Sequence, residues 1–168
     1  MILYHGTNID IQMIDLALCR PYKDFGRGFY TMEIPEQARK MAKRVARIYG
    51  GEPVVNVYKI DDDFMKKVGL NIKDFGDVPS ESWALFVMNK RNKSFTDFES
   101  ADCNFDCKYE IVRGPVADDD MTMLFRQYQN ELIPFEVLIR GMTFKKVTSQ
   151  YSFHTERAIR LLKKEGVL

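Results

Sequence analysis

The chain has 168 residues, which is the size of one ordinary domain and enough to bury a sizeable core. It is 45% hydrophobic and carries twenty Phe and Tyr side chains besides the single Trp83, a composition that excludes a disordered or fibrous protein. Twenty-five basic against twenty-four acidic residues leave a net charge of +1, so the chain as a whole has no excess charge to draw it onto nucleic acid.

Ile2-Leu3-Tyr4 reads as a short buried strand, ended by the polar stretch from Gly6 to Asn8, with His5 at its rim. Residues 9–28 have no clear period and read as a long loop or broken helix. Phe29-Tyr30-Thr31-Met32 suits a second strand, entered through Gly26 and Gly28. Pro35 then starts a helix whose Ala38, Met41, Ala42, Val45 and Ile48 recur at helical spacing, and Gly50-Gly51 stops it. Residues 53–60 alternate and are rich in valine, as a strand requires, and Asp61-Asp62-Asp63 caps a short helix through Val68.

Residues 80–89 form a predicted helix with Trp83, Phe86 and Val87 on one face, and Trp83 is assigned to the core. Residues 108–112 read as a strand closed by Gly114-Pro115. The acidic run Asp118-Asp119-Asp120 opens a helix to about Gln129, because carboxylates favour the positive end of the helix dipole. A strand is expected within 135–139 and another over 150–153. A terminal helix follows, with Ala158, Ile159 and Leu162 on one face, and His154 is read as its cap in preference to a second polar contact at the pocket. Strands and helices mix without a βαβ rhythm, so the fold class is α+β, in a single domain spanning 1–168.

Several motifs fail on context. Asp74-Phe75-Gly76 spells a kinase triplet but lacks the accompanying glycine-rich loop, strand lysine and catalytic loop. Gly26-x-Gly28 lacks the third glycine and later acid of a dinucleotide-binding fingerprint. Cys103 and Cys107 lack a second ligand pair, so no metal is assigned, and the three cysteines are read as free thiols. The amino terminus has no basic segment followed by an apolar run, and no stretch has the length of a membrane span, so a cytoplasmic protein is expected.

Three phrases remain: His5-Gly6-Thr7, Gly26-Arg27-Gly28-Phe29-Tyr30 and Ser149-Gln150-Tyr151-Ser152-Phe153. Their order and spacing resemble the three-part signature of the ADP-ribosyltransferase superfamily, of the diphtheria-toxin and poly(ADP-ribose) polymerase kind. That resemblance implies two small facing β-sheets with flanking helices, a cleft for NAD as co-substrate, and a bacterial transferase, a candidate toxin-like protein, that moves single ADP-ribose units. The acceptor (protein, nucleic acid or small molecule) is left open, an antitoxin-like protein is a candidate partner, and no membrane is involved. The catalytic positions fall on His5, Tyr30 and Gln150.

The chemistry suits these residue types. Cleavage of the nicotinamide-ribose bond passes through an oxocarbenium-like state, so useful groups clamp the leaving ring and hydrogen-bond the ribose hydroxyls. Tyr30 offers an aromatic face to a cationic ring, Gly6 a bare backbone for the carboxamide, and His5 a bond to a ribose hydroxyl. Arg20, Lys23 and Arg27 are candidates for the pyrophosphate, with Thr7 and Gly28 completing the cofactor set. Gln150 departs from the family's glutamate: it can bond a hydroxyl but brings no charge. This leaves two alternatives to transfer, an NAD-binding or protein-interaction module with weak or no turnover and an NAD glycohydrolase. Transfer of a tRNA 2′-phosphate lacks its additional histidine and arginine positions.

Overall fold

A computed structural model describes residues 1–66, 69–143 and 147–168. Its strands are β1 (Ile2–Thr7), β2 (Phe29–Met32), β3 (Val54–Lys59), β4 (Ile72–Asp74), β5 (Ile111–Pro115), β6 (Ser149–Phe153) and β7 (Lys163–Val167). The α-helices are α1 (Pro35–Tyr49), α2 (Glu81–Arg91), α3 (Asp119–Gln129), α4 (Phe135–Thr143) and α5 (Glu156–Ile159). The fold is α+β, as expected.

The expected pair of facing sheets is corrected. All seven strands join one mixed sheet in the order β4-β5-β6-β2-β1-β3-β7, with β4 and β5 parallel and the other neighbours antiparallel. The joint at the middle is narrow: β1 and β2 pair at Tyr4 and Met32, whereas β1 pairs β3 along its whole length. Beyond Tyr4, the β2-side edge of β1 therefore carries no ladder among the described residues.

Helix α1 starts at Pro35, where the missing N–H leaves nothing unsatisfied, and ends at Gly50 with φ +82°. It presses Ala38 and Ala42 onto β1, forming with Met32 and Val55 a small core of its own. Helix α2 is capped by Ser80 Oγ, which accepts from Trp83 N at 3.2 Å. Trp83, Phe86 and Val87 are buried beside Phe25, Met121 and Phe125, with Trp83 Nε1 donating to Pro115 O at 3.1 Å. On the other side of the sheet Leu3, Phe29, Phe64, Ile111, Tyr151 and Phe153 make a second core. Asp118 caps α3 by accepting from Met121 N at 2.8 Å, and Asp119 and Asp120 fill its first turn.

Several expected elements moved. β1 runs on to Thr7, so His5 lies within a strand and not at its end. β5 is three residues later than expected and includes Gly114 and Pro115. Residues 135–139, read as a strand, belong to α4, where Leu138 and Met142 are buried one turn apart against the α2–α3 core. The expected terminal helix shrinks to α5, and the chain returns as β7 along β3. After Asp61–Asp63 a single 3-10 turn covers Phe64–Lys66, and Val68 lies outside the described residues.

Candidate functional site

Residues 20–28 fold back against the sheet through a turn in which Gly26 N donates to Lys23 O at 3.0 Å. Gly26 takes φ +88°, and a Cβ there would sit 2.2 Å from Lys90 Cε, so both conformation and space call for glycine. Tyr30 clasps the same turn: its hydroxyl donates to Gly26 O at 2.8 Å and accepts from Phe25 N at 2.9 Å. Burial, followed by the nearby Asp24 charge, pushes the Tyr30 phenol well above its usual value.

Asp24, which the sequence reading passed over, is the centre of this region. Its side chain is 11% exposed, and the carboxylate takes four protein donor atoms. Arg91 Nε and Nη2 hold Oδ1 at 2.9 and 2.5 Å, while Ala117 N and Gln150 Nε2 reach Oδ2 at 3.0 and 2.8 Å. A buried carboxylate needs that compensation. Gln150 Nε2 also approaches Pro115 O at 3.4 Å. Both neighbours of that terminus are acceptors, so the amide can only place its nitrogen there and its oxygen away. Gln150 Oε1 takes no donor among the described residues, and it is not one of their two buried orphaned atoms, Thr31 Oγ1 and Tyr58 Oη. The residue as a whole is 6% exposed.

The register fixes which side chains share a face. Tyr30 pairs Ser152 and Met32 pairs Gln150, so Tyr30 and Gln150 project to the same side of the sheet. Tyr4 pairs Met32 and belongs to that side, which puts His5 on the other, stacked on Phe29 with ring centroids 4.4 Å apart. His5 meets its neighbour strand through one bond, Nδ1 to Tyr30 O at 2.7 Å. A carbonyl accepts only, so Nδ1 carries the proton and Nε2 is left as an acceptor, unbonded among the described residues. Burial holds the ring below its usual pKa, against the opposing bond to Tyr30, and the Lys23 charge acts in the same direction as burial.

The glycines expected to admit a ligand are occupied by protein. A Cβ on Gly6 would lie 2.0 Å from Ala38 O and 2.8 Å from Ala42 N, so its bareness lets α1 sit directly on β1. A Cβ on Gly28 would lie 2.8 Å from His154 Nδ1 and from Ser152 Oγ. His154 does not cap α5. Thr155 does, accepting from Ala158 N at 3.2 Å, while His154 bonds Arg27 O through Nδ1 and Ser152 Oγ through Nε2, both at 2.7 Å. Burial lowers its pKa to about 4, so the ring is neutral, and the 24–28 segment is tied to β6 from below.

The charged residues of the loop do not converge. Arg20 stacks on Tyr49 at 4.4 Å and bonds its hydroxyl, Arg27 donates to Ala17 O at 2.9 Å, and Lys23 is exposed. Thr7 Oγ1 contacts Asn8 Oδ1 at 3.4 Å. Two open depressions are formed elsewhere, one of about 480 Å³ lined by Arg91, Asn92, Lys93 and Gln129, the other of about 190 Å³ lined by Gln37, Val116, Asp118, Val147 and Thr148. Neither includes His5, Tyr30 or Gln150. Among the described residues no His, Cys, Asp or Glu group is clustered as for a metal ion, and no helix is long and apolar enough to cross a membrane.

The chain is thus an α+β domain built around a loop that is fastened over one face of its sheet by a buried carboxylate. It belongs to the family described as "Protein of unknown function (DUF3990)", whose profile matches residues 1–164. No curated protein and no solved structure matches it.

Proposed function

We propose that the protein is an NAD-dependent mono-ADP-ribosyltransferase acting through Tyr30 and Gln150, with His5, on the other face of the sheet, bracing β2 through its bond to Tyr30 O. The observation that carries this reading is the fixed acceptor of Gln150, unbonded among the described residues, on the face of the sheet that it shares with Tyr30. Gln150 Oε1 is fixed in orientation by the bond that the amide nitrogen of the same group gives to Asp24. An acceptor held in this way suits a ribose 2-hydroxyl, whose bond strengthens as an oxocarbenium-like state forms.

Supporting it, the signature residues lie on three consecutive strands, β6, β2 and β1. Tyr30 supplies a ring already oriented by its hydroxyl bonds, against which a cationic nicotinamide gains about 0.5 to 2 kcal/mol. The pyrophosphate role falls to Lys23, whose charge is felt at His5, ahead of Arg20 and Arg27, which are engaged with Tyr49 and Ala17.

The test is incubation of the purified protein with NAD, with mass spectrometry of nicotinamide, free ADP-ribose and protein-bound adducts. Nicotinamide with an adduct on protein, nucleic acid or a small-molecule acceptor is expected. Nicotinamide with stoichiometric free ADP-ribose would assign an NAD glycohydrolase, and tight binding without nicotinamide an NAD-binding module.

A further inference from the structure

We propose that Asp24 is the positioning residue for Gln150 and supplies, one bond removed, the negative charge that a glutamine lacks. The inference rests on the ADP-ribosyl transfer reading and deepens it. A carboxylate accepting from Nε2 at 2.8 Å draws the amide toward its charge-separated form and makes Oε1 a stronger acceptor. The carboxylate itself cannot turn away. Arg91 grips Oδ1 with two nitrogens, Ala117 N holds Oδ2, and the group is nearly sheltered from water, so its charge acts through low dielectric on the amide in front of it. Asp24 and Gln150 together then present an oriented oxygen backed by a carboxylate whose charge Arg91 offsets in part.

This arrangement predicts an unusual pattern of substitutions. Gln150→Glu alone puts a second carboxylate 2.8 Å from Asp24, and two carboxylates that close hold one proton between them. Its turnover should therefore depend on pH, with the pair's protonation, in a way the native protein's does not. Asp24→Asn leaves the Arg91 contact an oxygen but turns an N–H toward both Ala117 N and Gln150, so the Ala117 bond is lost and Gln150 must flip and expose a donor in place of Oε1. Nicotinamide release should fall by about a hundredfold, the scale of losing one fixed group that stabilises the reacting centre. The double variant Asp24→Asn with Gln150→Glu restores a donor-acceptor contact between the two side chains, with the charge moved from 24 to 150 and the Ala117 bond still lost, and should recover most of the native rate.

The experiment measures NAD affinity by calorimetry and nicotinamide release for the native protein and the three variants, with the Gln150 side-chain amide followed by NMR. Support consists of a slow Asp24→Asn variant whose NAD affinity stays within about threefold, together with rescue in the double variant. A role confined to holding the loop predicts lost affinity with no rescue, and that result, or unchanged turnover in Asp24→Asn, overturns the proposal. If Asp24→Asn does not fold, the double variant and the pH dependence of Gln150→Glu decide alone. If the native protein releases no nicotinamide, the transfer reading fails. The positioning claim is then judged separately by the Gln150 amide protons: slow exchange with solvent upholds the bond to Asp24, and free exchange removes it.

Discussion

On the α1 side of the sheet, β1, β3 and Gly6 meet the helix backbone directly, and the small core there is made of Met32, Ala38, Ala42 and Val55. Beside it, across the narrow β1–β2 joint, the same face carries buried polar groups bonded to the crossing loop: Gln150 to Asp24 of the loop, and Ser152 through His154 to Arg27 O. Both regions use a glycine for close approach, but to different ends. Gly6 admits a helix, which adds stability and fixes the angle between the elements. Gly26 and Gly28 admit Lys90 and the Ser152–His154 pair, which fasten a polar loop whose orientation sets Tyr30 and Gln150. Packing of backbone on backbone serves only the fold, whereas a buried polar network also fixes the direction of acceptors that a ligand can use.

The largest expected effect breaks the first region. Gly6→Val forces a branched side chain into the Ala38 carbonyl, where neither α1 nor β1 can move without the other, and should destabilise the protein by more than about 3 kcal/mol. Denaturant unfolding measures it. A fully stable variant would show that α1 does not lie on β1 as described.

In the second region, Arg91→Met leaves the Asp24 carboxylate buried with only Ala117 N and Gln150 as donors. Loss of one partner of a buried pair costs about 3 to 5 kcal/mol, and the Arg91 side chain is 27% exposed, so solvent reduces this to about 2 to 3 kcal/mol. Unfolding at neutral pH compares the variant with the native protein. Equal stability would mean that Asp24 is not held as a charge.

His154 sharpens the comparison through pH. Its folded pKa of about 4 lies below the unfolded value of about 6.5, so between these the unfolded chain binds more protons. The stability that the neutral ring contributes is complete above pH 6.5 and is lost as pH falls through 4, a change on the order of 3 kcal/mol. His154→Gln, which keeps polar atoms but does not titrate, should flatten that part of the profile. Melting curves at a series of pH values decide it; an unchanged slope would place the acid sensitivity elsewhere.

The smallest effect is Tyr30→Phe. Removing the hydroxyl leaves Phe25 N and Gly26 O without their partner and should cost about 1 to 2 kcal/mol of stability. NAD affinity, measured by calorimetry on the folded variant, should hardly change, because the ring remains. Tyr30→Ala should in contrast weaken binding by about 1 kcal/mol or more.

Local signals were sufficient where they are dense. Pro35 with Gly50, Ser80 before Trp83 and Asp118 before Met121 mark helix ends through single hydrogen bonds or a missing one, and α1, α2 and α3 begin where those residues stand. The three phrases fall on β1, β2 and β6, which the sheet makes neighbours, but the expected meeting of their side chains fails for His5, which projects to the face opposite Tyr30 and Gln150. Other elements depended on partners far along the chain. β7 reads Lys-Lys-Glu-Gly-Val, with no apolar alternation, because it is an edge strand held by pairing with β3. α4 looks like a strand from its Val137 and Ile139, and the core that receives Leu138 and Met142 overrides that preference. Asp24 is one acid among twenty-four in sequence. Only tertiary structure brings it to Arg91, Ala117 and Gln150, at separations of 67, 93 and 126 residues, because the worth of a buried charge is decided by its partners and not by its neighbours in the chain.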